Sequence, residues 1–409
     1  MWCINHLEWC VTDIECTERL LESHFGYRVI AERVNELVVQ RLLALGDTRL
    51  LLTQRRAGPS EKQRRQDTIK GYPTLFCCRY SHCRDSVFNV VLSVSDFEAV
   101  VQRLRSSDRI LVDSSQDVFK YVIIKAPCEN VIHVIMEQRF RDSLPGFHPI
   151  KKERMESIHS VDNEAVVDPY IDHVTYVVPK GESLKVIDWY TKYLGMKRFF
   201  VQPNELESKG VEINDHVGLR LMVGEWLTSW SCREVGVRDP NTKSSSVMLV
   251  LAEPLEENSN SHVQKFLNNN DGPGIQHVGL AVRSKISNVV SKMIKNGCNF
   301  QKPPPTYYQL PSKIIEIKQS GEDLDTFSKL GLLIDSEADI EKETSQNSNE
   351  KNFDKFLIQI FTKPLFKEDT FFIEVLQRKG ARGFGSGNIA ALAESIILYN
   401  KEIEETQIS

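Results

Sequence analysis

Three segments of the chain carry side chains that could bind one metal ion together. His173 and His277 each open a segment of alternating apolar residues, and Glu374 lies alone in the apolar segment 370–376. Two imidazoles and one carboxylate that project from strands form the ligand set typical of non-haem Fe(II) oxygenases. The residue types therefore indicate an enzyme.

Each of these residues has a simpler explanation when it is taken alone. A histidine at the start of a strand is more often a hydrogen-bonded structural residue than a ligand. Glu374 is less ordinary, because apolar residues surround it and an unpaired carboxylate is costly to bury. If the strand points Glu374 inward with Phe372, a metal ion would neutralise it. An outward-facing Glu374, or an ion pair with Arg378, is the alternative.

Composition and charge limit the class of protein. The chain has 409 residues, 41% of them apolar and 26% charged, which is enough for a sizeable core and favours two globular units. The net charge of -5 offers no basic surface for nucleic acid. No apolar run approaches the roughly 20 residues that span a bilayer, and residues 1–8 do not resemble a secretory signal. We therefore expect a soluble protein.

The nine cysteines show no paired metal-binding spacing. Their densest cluster is Cys77, Cys78 and Cys83, and adjacent cysteines rarely bridge each other. A reducing compartment fits this distribution best. Buried thiols are the main interpretation, and a zinc site is the alternative.

Internal repetition organises the rest of the sequence. Four units each start with an alternating strand, continue through an amphipathic helix and return through further strands, and their first strands lie near His6, Val87, His173 and His277. In the first and third units a glycine follows the helix, where it easily adopts the left-handed conformation that ends helices. The pattern predicts an α+β fold of four βαβββ units, paired into two half-open barrels.

Polar segments mark the predicted boundaries. A linker at 151–168 would separate an N-terminal domain at 1–150 from a C-terminal domain at 169–409. The polar segment 337–352 is interpreted as a surface loop between two strands. Apolar residues at helical spacing within 388–404 predict a closing helix over the mouth of the second barrel.

The repeats also predict how the candidate ligands meet. His173 and His277 come from equivalent first strands, and Glu374 comes from the last strand of the fourth unit. All three should therefore converge inside the second barrel.

The N-terminal pair of units does not reproduce this set. It has His6, but Asn89 at the second histidine position, and Ile135 or, in another register, Glu137 near the carboxylate position. We therefore predict one metal per chain and a non-catalytic N-terminal half.

Several segments, in the same order, resemble 4-hydroxyphenylpyruvate dioxygenases. They cover most of 168–399, whereas the N-terminal half resembles that family only diffusely. Segments 365–372 and 387–389 are most similar to the animal dioxygenase-like branch of the family. The family-like segments are 272–277, 303–308, 359–364, 372–378 and 383–388.

The resemblance implies a vicinal-oxygen-chelate fold and an Fe(II) site of His173, His277 and Glu374. Three ligands on one face leave three coordination positions for substrate and dioxygen. A 2-oxo acid would bind the iron through its carboxylate and keto oxygens. Oxidative decarboxylation would then need no external reductant or nicotinamide.

Cellular setting and assembly rest on the same resemblance. It implies a mitochondrial location and a contribution to the ubiquinone head group, and it allows a homodimer. Residues 1–25 resemble an acidic strand and helix and not an arginine-rich presequence, so a cytoplasmic location is the alternative.

The resemblance further implies which residues shape the pocket. Gln276 and Gln359 would be polar pocket residues, although ordinary strand polarity also explains them. Phe361, Phe372 and Phe384 would be aromatic walls around the substrate ring, or core residues.

Residues of the closing helix bear on the product. Asn388 would lie near the pocket or cap the helix. Ile389 stands where homogentisate-forming members carry Phe, and hydroxymandelate-forming members have a smaller aliphatic residue there. Loss of that aromatic wall would let the substrate ring tilt toward hydroxylation at the benzylic carbon. Val250, Ala252 and His262 also replace polar residues of the homogentisate-forming pocket.

The sequence therefore favours a 4-hydroxymandelate-forming Fe(II) dioxygenase that acts on 4-hydroxyphenylpyruvate. A homogentisate-forming dioxygenase is the alternative, and a non-catalytic protein that binds an aromatic acid is the alternative of another class. A glyoxalase-like isomerase would need a fourth protein ligand, and no second carboxylate stands out near His173. A ring-cleaving extradiol enzyme would use the same three ligands but not the segments around Phe361 and Gly385.

Overall fold

The structure is a computed structural model. It describes residues 2–56, 84–137, 142–150, 168–199, 211–213, 217–223, 247–255, 262–337, 355–381, 383, 385, 387–388 and 391–392. Several predicted features lie outside these residues: linker residues 151–167, loop residues 338–352, Cys77, Cys78, Cys83, Phe384, Ile389 and most of the closing helix.

The described residues of the N-terminal half form one mixed sheet and two α-helices. Its elements are β1 (Trp2–Cys10), α1 (Ile14–Leu20), β2 (Arg28–Val34), β3 (Val38–Leu45), β4 (Thr48–Arg55), β5 (Ser86–Val94), α2 (Phe97–Leu104), β6 (Ile110–Ser114), β7 (Tyr121–Lys125), β8 (Ile132–Met136) and β9 (His148–Pro149). The strand order is β6-β7-β8-β5-β1-β4-β3-β2-β9. The first strands of the two units, β1 and β5, therefore lie side by side.

The C-terminal half repeats this plan with additional helices. Its elements are β10 (Pro169–Val177), α3 (Ser183–Trp189), β11 (Lys197–Phe199), β12 (Val211–Ile213), β13 (Val217–Val223), β14 (Met248–Pro254), α4 (His262–Asn269), β15 (Gly274–Val282), α5 (Ile286–Lys295), α6 (Pro311–Gln319), α7 (Leu324–Leu330), β16 (Leu333–Glu337), β17 (Lys355–Phe361) and β18 (Phe372–Lys379). The strand order is β11-β13-β14-β10-β15-β18-β17-β16, and β12 pairs with β13. The predicted α+β organisation in repeated units is confirmed.

Two glycines end helices as the sequence predicts. In the first and third units the α-helix continues into a short π-helical turn, which stops at Gly26 with φ 88° and at Gly195 with φ 70°. Only glycine adopts this left-handed conformation without a steric cost. The chain can therefore turn directly into the next strand of the unit.

The strands that carry the candidate histidines begin earlier than predicted. β10 starts at Pro169 and β15 at Gly274, so His173 and His277 lie within their strands and not at the openings. The pairing of β10 with β15 shifts register before His173 and again before His277. A β-bulge adds one residue and so interrupts the alternation by which strands are recognised in a sequence.

The two halves pack directly against each other. Trp9 of β1 contacts Phe371 and Phe366 with ring centroids 5.0 and 5.6 Å apart, and His133 of β8 hydrogen-bonds the Tyr190 hydroxyl at 2.5 Å. One cluster of buried apolar side chains continues through both halves. Among the described helices, none is long and apolar enough to cross a membrane.

Candidate metal centre

Three neighbouring strands bring the candidate ligands to one face of the second sheet. His173 on β10 lies opposite Gly279 on β15, and Glu374 on β18 is paired with the same glycine from the other side. His277 lies two residues before Gly279 and therefore points to the same face of β15. Strand pairing alone thus accounts for the convergence of residues that are up to 201 positions apart in sequence.

The distances between the donor atoms suit a single ion. Nε2 of His173 lies 3.2 Å and Nε2 of His277 lies 3.7 Å from the same oxygen of Glu374. The three ligand atoms lie within 4.8 Å of one another, and no other group of three such side chains was found among the described residues. Donors bound at about 2.1 Å and right angles would be about 3 Å apart, so small rotations would close the set around a cation.

Burial and charge also fit a cation. The side chains of His173 and Glu374 are 3% and 5% exposed. Burial by itself lowers the pKa of His173, but Glu374 and Asp172 raise it to about 9. Burial and the neighbouring His173 lower the pKa of His277 well below its ordinary value. Without a metal ion, the positive charge that faces the Glu374 carboxylate is a proton on His173. A bound metal ion would provide that positive charge in place of the proton.

Each histidine is oriented by the residue that precedes it. The added residue of one β-bulge is Asp172, and that of the other is Gln276. A carboxylate oxygen of Asp172 accepts a hydrogen bond from Nδ1 of His173 at 2.8 Å, and the amide oxygen of Gln276 lies 3.2 Å from Nδ1 of His277. Both interactions engage Nδ1 and turn Nε2 toward Glu374, as in metal sites whose histidines are oriented by a second ring of groups.

Arg378 completes this support. Its guanidinium donates to both oxygens of Asp172 at 2.8 Å and to the carbonyl oxygens of Ala381 and Gly383 at 3.2 and 2.7 Å. Although burial raises the pKa of Asp172, Arg378 holds it well below its ordinary value. Arg378, which the sequence suggested as a partner of Glu374, thus forms its ion pair with Asp172. The Asp172 carboxylate lies on the Nδ1 side of His173, away from the metal position.

Gly279 is a site residue that the sequence analysis missed. A Cβ atom at this position would lie 2.3 Å from Cε1 and 2.5 Å from Nδ1 of His173. The imidazole therefore occupies the space that any other side chain would fill. The available signal was a glycine in the interior of an apolar strand, which often marks a close approach of another group.

Aromatic rings flank the second histidine. Phe372 stacks on His277 with centroids 4.7 Å apart, and Phe361 meets Phe372 edge to face at 5.8 Å. Phe361 is paired with Glu374 across β17 and β18. These rings lie beside the candidate ligands, and their role as walls around a substrate ring stays a prediction.

Two predicted polar residues, Gln359 and Asn388, are buried. Gln359 is 2% exposed, and its Oε1 has no hydrogen-bond partner among the described atoms. The Asn388 side chain accepts a hydrogen bond from the Tyr307 hydroxyl at 2.7 Å, and residue 387 is already helical. Asn388 therefore does not cap the closing helix, which was the alternative explanation for it.

The N-terminal half keeps only part of this arrangement. Asn5, again the added residue of a bulge, hydrogen-bonds Nδ1 of His6 at 2.8 Å. Asn89 donates to Glu8 at 2.8 Å. Asn89 pairs with Ile132 and Leu92 with Ile135, which places Val134 at the position equivalent to Glu374. The predicted counterparts, Ile135 and Glu137, are therefore wrong, because the pairing of β5 with β8 places the equivalent position one residue before Ile135 and three before Glu137.

Comparisons with known proteins place the chain among relatives of similar length. No family model matches it. The 4-hydroxyphenylpyruvate dioxygenase-like protein of Mus musculus is 28% identical over 402 residues, covering 96% of this chain and 95% of that protein, and the Homo sapiens protein of the same name is 28% identical over 399 residues with the same coverage. The 4-hydroxyphenylpyruvate dioxygenase of Coccidioides posadasii is 25% identical and covers 96% of this chain and 91% of that protein.

Solved structures show the same fold. A mutant of 4-hydroxymandelate synthase from Streptomyces coelicolor superimposes with a TM-score of 0.66 at 19% identity, covering 96% of this chain and 97% of that one. A fusion of a xylose isomerase-like TIM barrel with 4-hydroxyphenylpyruvate dioxygenase gives 0.59 at 17% identity, with 96% of this chain and 52% of that one covered. The predicted resemblance is thus confirmed: the chain is similar over nearly its whole length to 4-hydroxyphenylpyruvate dioxygenases and dioxygenase-like proteins, and it has the vicinal-oxygen-chelate fold.

Proposed function

We propose that the protein is an Fe(II)-dependent dioxygenase that decarboxylates 4-hydroxyphenylpyruvate and forms 4-hydroxymandelate. The observation that carries this proposal is the buried convergence of His173, His277 and Glu374 on one face of the second sheet. Two imidazoles and a carboxylate suit Fe(II) and leave room for exogenous ligands. The names of the relatives support the substrate class.

The residues present fit an iron ion. Held by His173, His277 and Glu374, Fe(II) would supply open coordination positions and one-electron redox chemistry. The chain's own contribution is to fix the geometry: Asp172 and Gln276 hold the two imidazoles with Nε2 facing the site. Preorganised ligands avoid the cost of ordering them when substrate arrives.

The surrounding side chains would bind and shield the substrate. The rings of Phe361 and Phe372 offer an apolar face for the aromatic ring. The Oε1 atom of Gln359 has no hydrogen-bond partner among the described residues, and a ring hydroxyl could donate a hydrogen bond to it. Low exposure of Glu374 indicates a site from which bulk water is largely excluded, which protects reactive species from side reactions.

The choice of product rests on the closing helix. Ile389 is smaller than the Phe found in homogentisate-forming relatives, and Val250 and Ala252 are buried apolar residues where those relatives carry polar ones. Less restraint on the ring favours attack at the benzylic carbon. A homogentisate-forming reaction is the second candidate. Mitochondrial location and a role in ubiquinone synthesis remain predictions from the resemblance.

Product analysis tests the proposal. Iron-loaded protein is incubated with 4-hydroxyphenylpyruvate under oxygen, and oxygen uptake, carbon dioxide release and products are measured together. We expect 4-hydroxymandelate with one carbon dioxide per dioxygen, and some homogentisate from Ile389→Phe. Homogentisate alone from the wild-type protein would overturn the benzylic assignment. Binding of the oxo acid without oxygen uptake would instead establish a non-catalytic binding protein.

A further inference from the structure

The hydroxyl group of Thr175 is buried beside the candidate ligands without a hydrogen-bond partner. Thr175 is 1% exposed, and no described atom pairs with its Oγ1. A buried hydroxyl in this state costs free energy unless something else completes its hydrogen bonding. The group that does so must therefore come from outside the described part of the protein.

Strand pairing places this hydroxyl on the same face as the ligands. Thr175 lies two residues after His173 on β10 and directly opposite His277 on β15. Side chains directly opposite in a sheet share a face, with Cβ atoms about 5 Å apart. Val174 and Tyr176, which alternate with Thr175, belong to the apolar core on the other face.

The repeat shows what the N-terminal half does at the same position. β1 and β10 each have nine residues with the histidine fifth, so Glu8 is the counterpart of Thr175. The Glu8 carboxylate accepts hydrogen bonds from Thr53 at 2.7 Å, Gln40 at 3.2 Å and Asn89 at 2.8 Å. The equivalent side chain in the first half is thus fully engaged within the protein.

The C-terminal half has lost these partners. By register, Ala252 corresponds to Thr53, and Leu219, which pairs with Ala252, corresponds to Gln40. Neither residue type can form a side-chain hydrogen bond. His277 corresponds to Asn89, but Gln276 engages its Nδ1, and its Nε2 faces Glu374. The repeat therefore gives an internal reason why Thr175 has no hydrogen-bond partner among the described residues.

We propose that the Thr175 hydroxyl binds the 2-oxo acid head of the substrate by donating a hydrogen bond to its carboxylate. This inference rests on the proposed function and names a contact within the same site. Thr175 lies next to His277, at the metal end of the pocket, where the charged head of a chelating 2-oxo acid must lie. A carboxylate is the strongest acceptor that such a substrate brings.

Thr175→Val and Thr175→Ser separate the hydroxyl from the shape of the side chain. Anaerobic calorimetry on Co(II)-loaded protein would measure binding of 4-hydroxyphenylpyruvate and of phenylpyruvate, which lacks the ring hydroxyl. We expect Thr175→Val to lower the affinity for both acids about tenfold. The affinity of Thr175→Ser should stay within about threefold of wild type, since serine keeps the hydroxyl donor. Co(II) affinity should not change. The ligand-free Thr175→Val protein should melt no lower than wild type, because it loses no internal hydrogen bond.

Each other outcome is informative. Unchanged binding of both acids by Thr175→Val would overturn the inference while leaving the proposed function intact. Lower affinity for 4-hydroxyphenylpyruvate alone would mean that the Thr175 hydroxyl binds the ring hydroxyl of the substrate, and it would overturn the contact with the carboxylate. A lower melting temperature or lost Co(II) binding would show that the hydroxyl serves the fold or the metal site. Failure of wild-type protein to bind either acid would overturn the proposed function and this contact together.

Discussion

Asp172 accepts a hydrogen bond from Nδ1 of His173 at 2.8 Å, from a position that a β-bulge adds to the strand. The carboxylate thus selects the tautomer in which Nε2 is the ligand atom. Because Asp172 is also bound by Arg378, the orientation of this imidazole depends on a buried ion pair.

Replacing Asp172 should weaken metal binding without removing a ligand. For Asp172→Asn we expect Co(II) or Fe(II) affinity to fall about 10- to 100-fold, as in other sites that lose such support. Asn5 shows that an asparagine can make the same bond to a histidine, so the loss would come from the charge. Asp142→Asn, in an exposed ion pair with Arg49, is the control. Wild-type affinity in Asp172→Asn would contradict the assigned role.

The protein should bind one metal ion per chain, and binding should require ligand residues of the second half only. His173→Ala, His277→Ala and Glu374→Ala should each reduce bound metal from about one equivalent to near zero, because two donors hold a divalent ion poorly. His6→Gln changes the equivalent histidine of the first half and should retain the full equivalent. Elemental analysis after gel filtration measures both. Metal retained in all three ligand variants would contradict the site.

Gly279→Ala should act on the metal through His173. The new methyl group would overlap the imidazole ring and push Nε2 away from Glu374. We expect metal affinity to fall at least as far as in Asp172→Asn. Gly321→Ala, where φ is 77° but a Cβ meets nothing within 4 Å, controls for replacement of a glycine away from His173 and should keep the metal. Equal affinity in both alanine variants would show that the ring has room to move.

Stability should respond to pH through the buried His133. Burial lowers its pKa from 6.5 to about 4, so the unfolded state binds more protons between these values and stability decreases as the pH falls through this window. The stability of wild type relative to His133→Gln should therefore decrease by about 3 kcal/mol from pH 6.5 to pH 4. Urea titrations at several pH values measure this difference. A constant difference would mean that folding does not change the pKa of His133.

The fold could be predicted from the sequence where repetition carried the signal. Four alternating strands with following helices, and glycines at 26 and 195, define the units. The beginnings of β10 and β15 could not be predicted, because the bulges at Asp172 and Gln276 break the alternation just ahead of each histidine. The irregularity that conceals the strands is also what orients the imidazoles.

The ligand triangle could likewise be predicted, since residue type and repeat position both pointed to it. The residues that orient the ligands could not be predicted. The pairing of Asp172 with Arg378 joins residues 206 positions apart, and a sequence gives no register for strands that do not neighbour each other. Gly279 and Thr175 are site residues because they lie opposite His173 and His277, respectively. The sequence shows the type of each residue, but it does not show which residues of distant strands are paired.

The valine at position 134 has a consequence for how a duplicated site can lose its metal. A carboxylate there would be buried without a cation once position 89 is an asparagine, and an uncompensated buried charge is strongly destabilising. Conversely, a second histidine would gain nothing without the acid. The two positions are therefore coupled: a carboxylate at position 134 would destabilise the first half unless position 89 also carried a histidine and a metal ion bound there. The histidine would have to come first, or together with the acid.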